Sequence, residues 1–231
     1  MLYKEFYNSI GLQEYQPLTK NQRVKFNRFV FKNIFKPAID NCKVIIELTE
    51  LELAFIENFI KDKVVVKQQE SNGFDNKHRL KRELTGACIE FALLKYFKKQ
   101  TEFDDSIVKS SKKKNYPDLL PLGILCDVKG SIINNVPLVF KDKRSYTYQD
   151  GKNKGKQYKC CNLIGITNHK TVWILGIATP EILKEYVDDN LIMFSENTSK
   201  TGFYGVNQLI QLPKKWNDFK KICKLNNFEL T

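Results

Sequence analysis

Asp127 and Lys129 lie in the run Gly123-Ile124-Leu125-Cys126-Asp127-Val128-Lys129, which otherwise reads as a buried strand. The two-residue period of a strand puts Leu125, Asp127 and Lys129 on one face and Ile124, Cys126 and Val128 on the other. An acid and a lysine sharing one face of a half-buried strand are costly to desolvate unless each finds a partner. The triplet alone carries no weight. Asp-x-Lys occurs at Asp75/Lys77, Asp127/Lys129, Asp150/Lys152 and Asp218/Lys220, and 26 acidic and 38 basic residues in 231 positions produce about four acid-x-base triplets by chance. Context separates them. Asp75 adjoins a turn, Asp150 sits in a Gly/Lys loop and Asp218 lies on a polar helix; Asp127 is the one embedded in an apolar strand.

Nine residues upstream stands the chain's single Pro-Asp, Pro117-Asp118. Folding the Pro121-Leu122-Gly123 turn brings Asp118 alongside Asp127, with short strands expected on both sides of the turn. Two carboxylates so placed repel each other unless a cation lies between them. Hard oxygen donors of this kind suit Mg²⁺ or Mn²⁺ rather than zinc. A third carboxylate, Glu90, is flanked by Ile89 and Phe91 in the most apolar stretch of a long helical segment, where a lone acid is expensive. Gly86, one turn earlier, is expected to let the sheet approach. Glu83, two turns back on the same side, is the alternative helix ligand.

Glu on a helix, Pro-Asp at a strand start and Asp-x-Lys on the next strand resemble the PD-(D/E)XK nuclease superfamily, over about residues 83–131 and more loosely to Ala178. The resemblance implies an α-β-β-β-α-β core, with Asp118 and Asp127 as metal ligands and Glu90 as a further metal or water ligand. It implies that Lys129 orients or deprotonates the attacking water, or stabilises charge on the phosphorane. The implied activity is Mg²⁺- or Mn²⁺-dependent hydrolysis of DNA by a restriction-endonuclease-like endonuclease. A Holliday-junction resolvase or a phage or repair nuclease is the alternative within that class, and RNA stays open as substrate. A basic nucleic-acid-binding protein with a degenerate nuclease fold is the alternative outside it. Superfamily members that cut both strands often act as dimers, so a homodimer is expected.

The elements that must position these residues follow from periodicity and punctuation. Residues 18–36 predict a basic amphipathic helix stopped by Pro37. Val44–Leu48 is β-prone, and Thr49 with Glu52 forms a capping-box signal for the next helix. Val64–Val66 is short and β-branched, and Ser71-Asn72-Gly73 breaks the chain. A largely apolar helix is expected over about Asp75–Lys99. Strands are predicted at Pro137–Phe140, Tyr146–Gln149, Tyr158–Thr167 and Thr171–Ala178, with a tight turn at Asn168-His169-Lys170. Thr179 and Pro180 start a helix running to about Asp188. A strand near Gly205–Leu212 and a helix over Lys214–Leu225 close the chain. The whole predicts one α/β domain over 1–231: a mainly helical subregion over 1–70, a mixed-sheet core flanked by helices over 74–212, and a C-terminal helix over 213–231.

Composition fits such a partner. Lys+Arg 38 against Asp+Glu 26 gives +12, and the isoelectric point is near 9.3, a balance that favours a polyanion. Candidate phosphate contacts are Lys112, Lys113 and Lys114 before the Pro-Asp, Ser131 after the Asp-x-Lys, and Lys143, Arg144, Lys152, Lys154 and Lys156 in a basic, tyrosine-bearing loop. Lys20, Arg23, Lys25, Arg28 and Lys32 lie along the first basic helix, which is open to a DNA or dimer contact. His169 is expected in its turn, and Trp173 and Trp216 in the core. Six cysteines without a Cys-x-x-Cys pair, and only two histidines, argue against zinc and for reduced thiols. With no apolar run for a signal peptide or a bilayer span, a cytoplasmic protein without a membrane partner is expected.

Overall fold

The computed structural model describes residues 2–12, 18–68, 76–103, 117–140, 145–148, 156–188 and 200–225. Within them the chain is a mixed α/β structure. Its main sheet has four strands in the order β1 (Ile45–Glu47), β7 (Thr171–Ala178), β6 (Cys161–Thr167) and β2 (Cys126–Ile132). β2 runs parallel to β6, whereas β7 is antiparallel to both its neighbours. A three-stranded sheet joins β3 (Leu138–Phe140), β9 (Lys200–Phe203) and β8 (Val187–Asp188), and β4 (Ser145–Tyr148) pairs with β5 (Lys156–Lys159) as a separate ribbon.

Helices cover both faces of the main sheet. Cys126, Val128, Cys161, Leu163, Val172 and Ile174 pack with α4 (Glu50–Gln68), α5 (Asn76–Tyr96) and the C-terminal helix Trp216–Leu225. On the other face Ile164, Ile166 and Ala178 pack with α1 (Leu2–Ser9) and α2 (Lys20–Val30) through Phe6, Phe26, Val30, Phe31 and Phe35. The basic helix is therefore amphipathic as expected: Phe26 and Val30 are buried, whereas Lys20, Lys25, Arg28 and Lys32 are exposed. The two caps read from sequence also form. Thr49 N–H donates to Glu52 Oε2 at 2.8 Å and Glu52 N–H to Thr49 Oγ1 at 3.2 Å. Thr179 Oγ1 accepts from Ile182 N–H.

Several expectations give way to tertiary context. Pro37 does not stop its helix: a π turn at Phe31–Phe35 precedes it, and α3 (Lys36–Asp40) continues through it. Lys36 N–H reaches back five residues to the Phe31 carbonyl, and this wider turn accommodates a ring that would crowd a regular ladder. Val64–Val66 is helical, inside α4, because a helix already capped and packed outweighs a three-residue β preference. The predicted strand Tyr158–Thr167 divides at Cys160, its first part serving the β4 ribbon and its second the main sheet. The helix from Pro180 (α6) ends at Glu185 rather than near Asp188, since Val187 and Asp188 pair with Phe203 and Gly202. The Gly205–Leu212 strand reduces to a 3₁₀ turn at Val206–Gln208 and a single bridge between Ile210 and Ile177. The break at Ser71-Asn72-Gly73 lies outside the described residues.

Candidate active site

The helix and the sheet meet at Ile89. A Cβ placed on Gly130 would lie 2.0 Å from Ile89 Cδ1 and 2.9 Å from the Gly165 carbonyl oxygen, and one on Gly165 would lie 2.7 Å from Ile89 Cγ2. Ile89 is therefore seated in a recess of paired glycines, since Gly130 and Gly165 are partners in the parallel register of β2 and β6. The close approach expected at Gly86 is absent: nothing lies within 4 Å of a Cβ there. The sheet, not the helix, supplies the missing side chains. Glu90 is carried next to this anchor, half-buried.

β2 is an edge of the main sheet, and the Pro117–Ile124 segment covers it. The strand expected around Asp118 does not form. Leu120–Leu122 is a 3₁₀ turn, ended by Gly123 in the left-handed region at φ 74°, a conformation that glycine adopts without a Cβ clash. Leu119 N–H donates to the Cys126 carbonyl at 3.0 Å, and Asp118 Oδ2 accepts from Val128 N–H at 2.8 Å. Both contacts use groups on the outer edge of β2, so one carboxylate closes a sheet edge while being brought to Asp127. The expected juxtaposition forms, by a turn in place of a strand.

Asp127 is 3 % exposed, and its Oδ2 lies 2.5 Å from Lys129 Nζ. Asp127 lies close enough to Asp118 for its charge to act on that carboxyl. Two neighbouring carboxyls repel when both are ionised, and a proton or a cation relieves that repulsion. Burial first, then the charges of Asp127 and Glu90, hold the Asp118 carboxyl well above its ordinary range, and Lys129 only partly offsets them. For Lys129, burial pulls the ammonium down, but Asp127 and then Asp118 outweigh it and leave the lysine above its ordinary value. Lys129 is thus a protonated donor in this arrangement, suited to orienting a water or an anionic oxygen and not to removing a proton.

Glu90 belongs to the helix face of the sheet, whereas Asp127 and Lys129 alternate to the other. Asp118, at the edge, feels both. Of the two helix acids, Glu90 is the one whose charge is seen to act on Asp118. Among the described residues no three His, Cys, Asp or Glu side chains converge as a cage for an ion. A buried and a half-buried carboxylate that repel each other still fit a hard divalent cation, because Mg²⁺ ordinarily takes one or two carboxylates and keeps several waters. Asp118 and Asp127 are the residues placed to hold it.

No protein-family model, curated protein or solved structure matches this chain. The chemistry therefore stands on the residues themselves. Thiol chemistry is disfavoured: burial pushes the Cys88 thiol up to about 12 and Cys126 up to about 11, so both stay protonated near neutral pH. His169 stands in the β6–β7 turn at φ 78°, with Nε2 3.3 Å from Thr85 Oγ1. Trp216 packs against Phe97 and Phe219, and Trp173 against the N-terminal side of the sheet.

Of the candidate phosphate contacts, Ser131 is half-buried and donates at 2.6 Å to the Asn135 carbonyl, serving the turn after β2. Lys156 opens β5. Lys112, Lys113, Lys114, Lys143, Arg144, Lys152 and Lys154 lie outside the described residues. Asn162, which sequence reading passed over, is buried directly opposite Asp127 in the β2–β6 register. Its signal was available: it is the one amide in the otherwise small or apolar run Cys161-Asn162-Leu163-Ile164-Gly165-Ile166.

Proposed function

We propose that this chain is a Mg²⁺- or Mn²⁺-dependent DNA endonuclease of PD-(D/E)XK type, most similar in role to a restriction endonuclease. The observation that carries the reading is the set Asp118–Asp127–Lys129 at the edge strand β2: Asp118 is fixed to Val128 N–H beside the buried Asp127, which pairs with Lys129. Bound between Asp118 and Asp127, the cation would neutralise both carboxylates, polarise a scissile phosphate and lower the pKa of a water. The chain's own residues do the rest. Asp118, whose raised pKa favours a proton in the metal-free protein, would release it to solvent and keep its oxygen on Val128 N–H, which fixes its direction. Lys129 keeps its proton and donates to the oxygen that gains charge as phosphorus is attacked in line. Glu90 adds negative potential at Asp118 from the helix side, which strengthens the pair's demand for a cation. The exposed cations Lys20, Lys25 and Arg28 of α2 and Lys32 of the π turn after it offer phosphate contacts on the side of the sheet that Asp127 faces.

The test is cleavage of plasmid, branched and single-stranded DNA, and of RNA, with Mg²⁺, with EDTA, and with Asp127→Ala. Discrete DNA fragments that vanish with EDTA, and rates that fall roughly a hundredfold or more in the variant, are expected. Metal-dependent cleavage confined to branched DNA would move the role to a resolvase, and cleavage of RNA alone would move the substrate. Folded protein that binds nucleic acid equally with and without Mg²⁺, and cuts none of these, would sink the enzymatic reading. One observation favours that binding-only alternative: each site carboxylate already has a partner within the chain.

A further inference from the structure

Among the described residues the buried polar side chains are Asn27, Thr85, Asp127, Asn162, Thr167 and Thr179. Five have partners: Asn27 Oδ1 accepts from Val136 N–H, Thr85 and Thr167 donate to the Lys81 and Thr171 carbonyls, Thr179 accepts from Ile182 N–H, and Asp127 meets Lys129. Asn162 differs. It is 3 % exposed, and among the described residues no hydrogen bond reaches its carboxamide. Buried amides are ordinarily satisfied, and one that is not asks for a ligand.

Its position names the ligand. Asn162 is the register partner of Asp127 in the parallel β2–β6 pair, so the two side chains leave the same face of neighbouring strands. On its other side its partner in β7 is Ala178, whose methyl is small and apolar and makes no hydrogen bond. Glu90, the remaining acid of the site, approaches from the opposite face.

We propose that Asn162 supplies, through Oδ1, the third protein oxygen for the divalent cation held by Asp118 and Asp127. A carboxamide oxygen is a hard donor of the kind that such ions accept. Being neutral, it adds a ligand without adding a third negative charge to a pair that already repels. The ion in turn satisfies the orphaned amide, which explains why a strand otherwise so apolar carries it. The proposal rests on the metal-dependent reading above, and it is tested without reference to cleavage.

Mn²⁺ is titrated calorimetrically into the full chain in the absence of nucleic acid, for the wild type, Asp127→Asn, Asn162→Ala, Asn162→Leu and Asn162→Asp. The thermal midpoint of each is measured without metal. Wild-type binding that Asp127→Asn removes is expected, with affinity lowered roughly tenfold or more by Asn162→Ala and Asn162→Leu. Asn162→Asp, which keeps an oxygen in place, retains binding. The metal-free midpoint of the near-isosteric Asn162→Leu is expected to equal or exceed that of the wild type, because an unpartnered amide has been removed. Wild-type affinity in a folded Leu or Ala variant overturns this proposal alone. A wild type that shows no Mn²⁺ binding dependent on Asp127 overturns the metal-dependent reading, and this proposal with it.

Discussion

Asp118 is a residue whose usefulness and whose stability oppose each other. Its carboxyl is held well above the ordinary value of 3.8, chiefly by burial and then by Asp127 and Glu90. As pH rises past that ordinary value, the unfolded chain releases this proton while the folded chain still keeps it. Below it both states are protonated; above it, metal-free stability declines until pH passes the raised value. Asp118→Asn keeps an oxygen to accept from Val128 N–H and removes the titration. The variant is expected to lose that pH-dependent decline, to unfold at higher denaturant than the wild type near neutral pH, and to lose cleavage. Denaturant melts across pH without metal check it, and equal pH slopes in the two proteins would refute the coupling. Lys129→Gln has the opposite sign, since it strands Asp127 without its cation, and should cost about 3 kcal/mol in the same melts.

At the scale of elements, the seat of Ile89 on Gly130 and Gly165 sets how far α5 stands from the sheet. Gly165→Ala places a methyl 2.7 Å from Ile89 Cγ2, and Gly130→Ala places one 2.9 Å from a backbone oxygen that cannot swing away. Each is expected to destabilise by about 1–3 kcal/mol. Ile89→Val, which removes the Cδ1 that a Cβ on Gly130 would meet at 2.0 Å, should relieve part of the Gly130→Ala cost in a double-mutant cycle. Gly86→Ala meets nothing within 4 Å on a helix and should stabilise by roughly 0.5–1 kcal/mol. Chemical denaturation of the four single variants and the double mutant measures all of this. A destabilising Gly86→Ala with a silent Gly165→Ala would reverse the assignment of the close approach. At the other end of α5, Lys95 Nζ lies 2.7 Å from Glu52 Oε2 and 2.9 Å from the Glu47 carbonyl, tying α4, α5 and β1 together.

For the molecule as a whole, +12 of formal charge and an exposed row of cations along α2 and the π turn after it favour a polyanionic partner. Binding to duplex DNA should weaken about a thousandfold between 50 and 200 mM salt if six phosphates are contacted. Lys25→Glu with Arg28→Glu and Lys32→Glu should flatten the salt slope and leave folding intact, because all three side chains are exposed, whereas Phe26 and Val30 carry the packing. Fluorescence anisotropy against salt reads both effects. An unchanged slope would move the nucleic-acid face away from this helix. Among the described residues no helix is long and apolar enough to cross a membrane.

Much of this was legible in the chain because it depends on near neighbours. The Thr49–Glu52 capping box, the Thr179–Pro180 helix start, the turn at His169 and the two-faced alternation around Asp127 are local rules with local causes. The same alternation singled out one Asp-x-Lys from four. Tertiary structure decided what depends on partners distant in sequence. Only the parallel register of β2 with β6 places Asn162 beside Asp127, 35 residues along the chain. Only the assembled sheet shows that Gly130 and Gly165, not Gly86, admit Ile89. And only burial beside two carboxyls decides that Lys129 holds its proton, because a side chain's pKa depends on the charges and solvent around it, which folding brings from elsewhere in the chain.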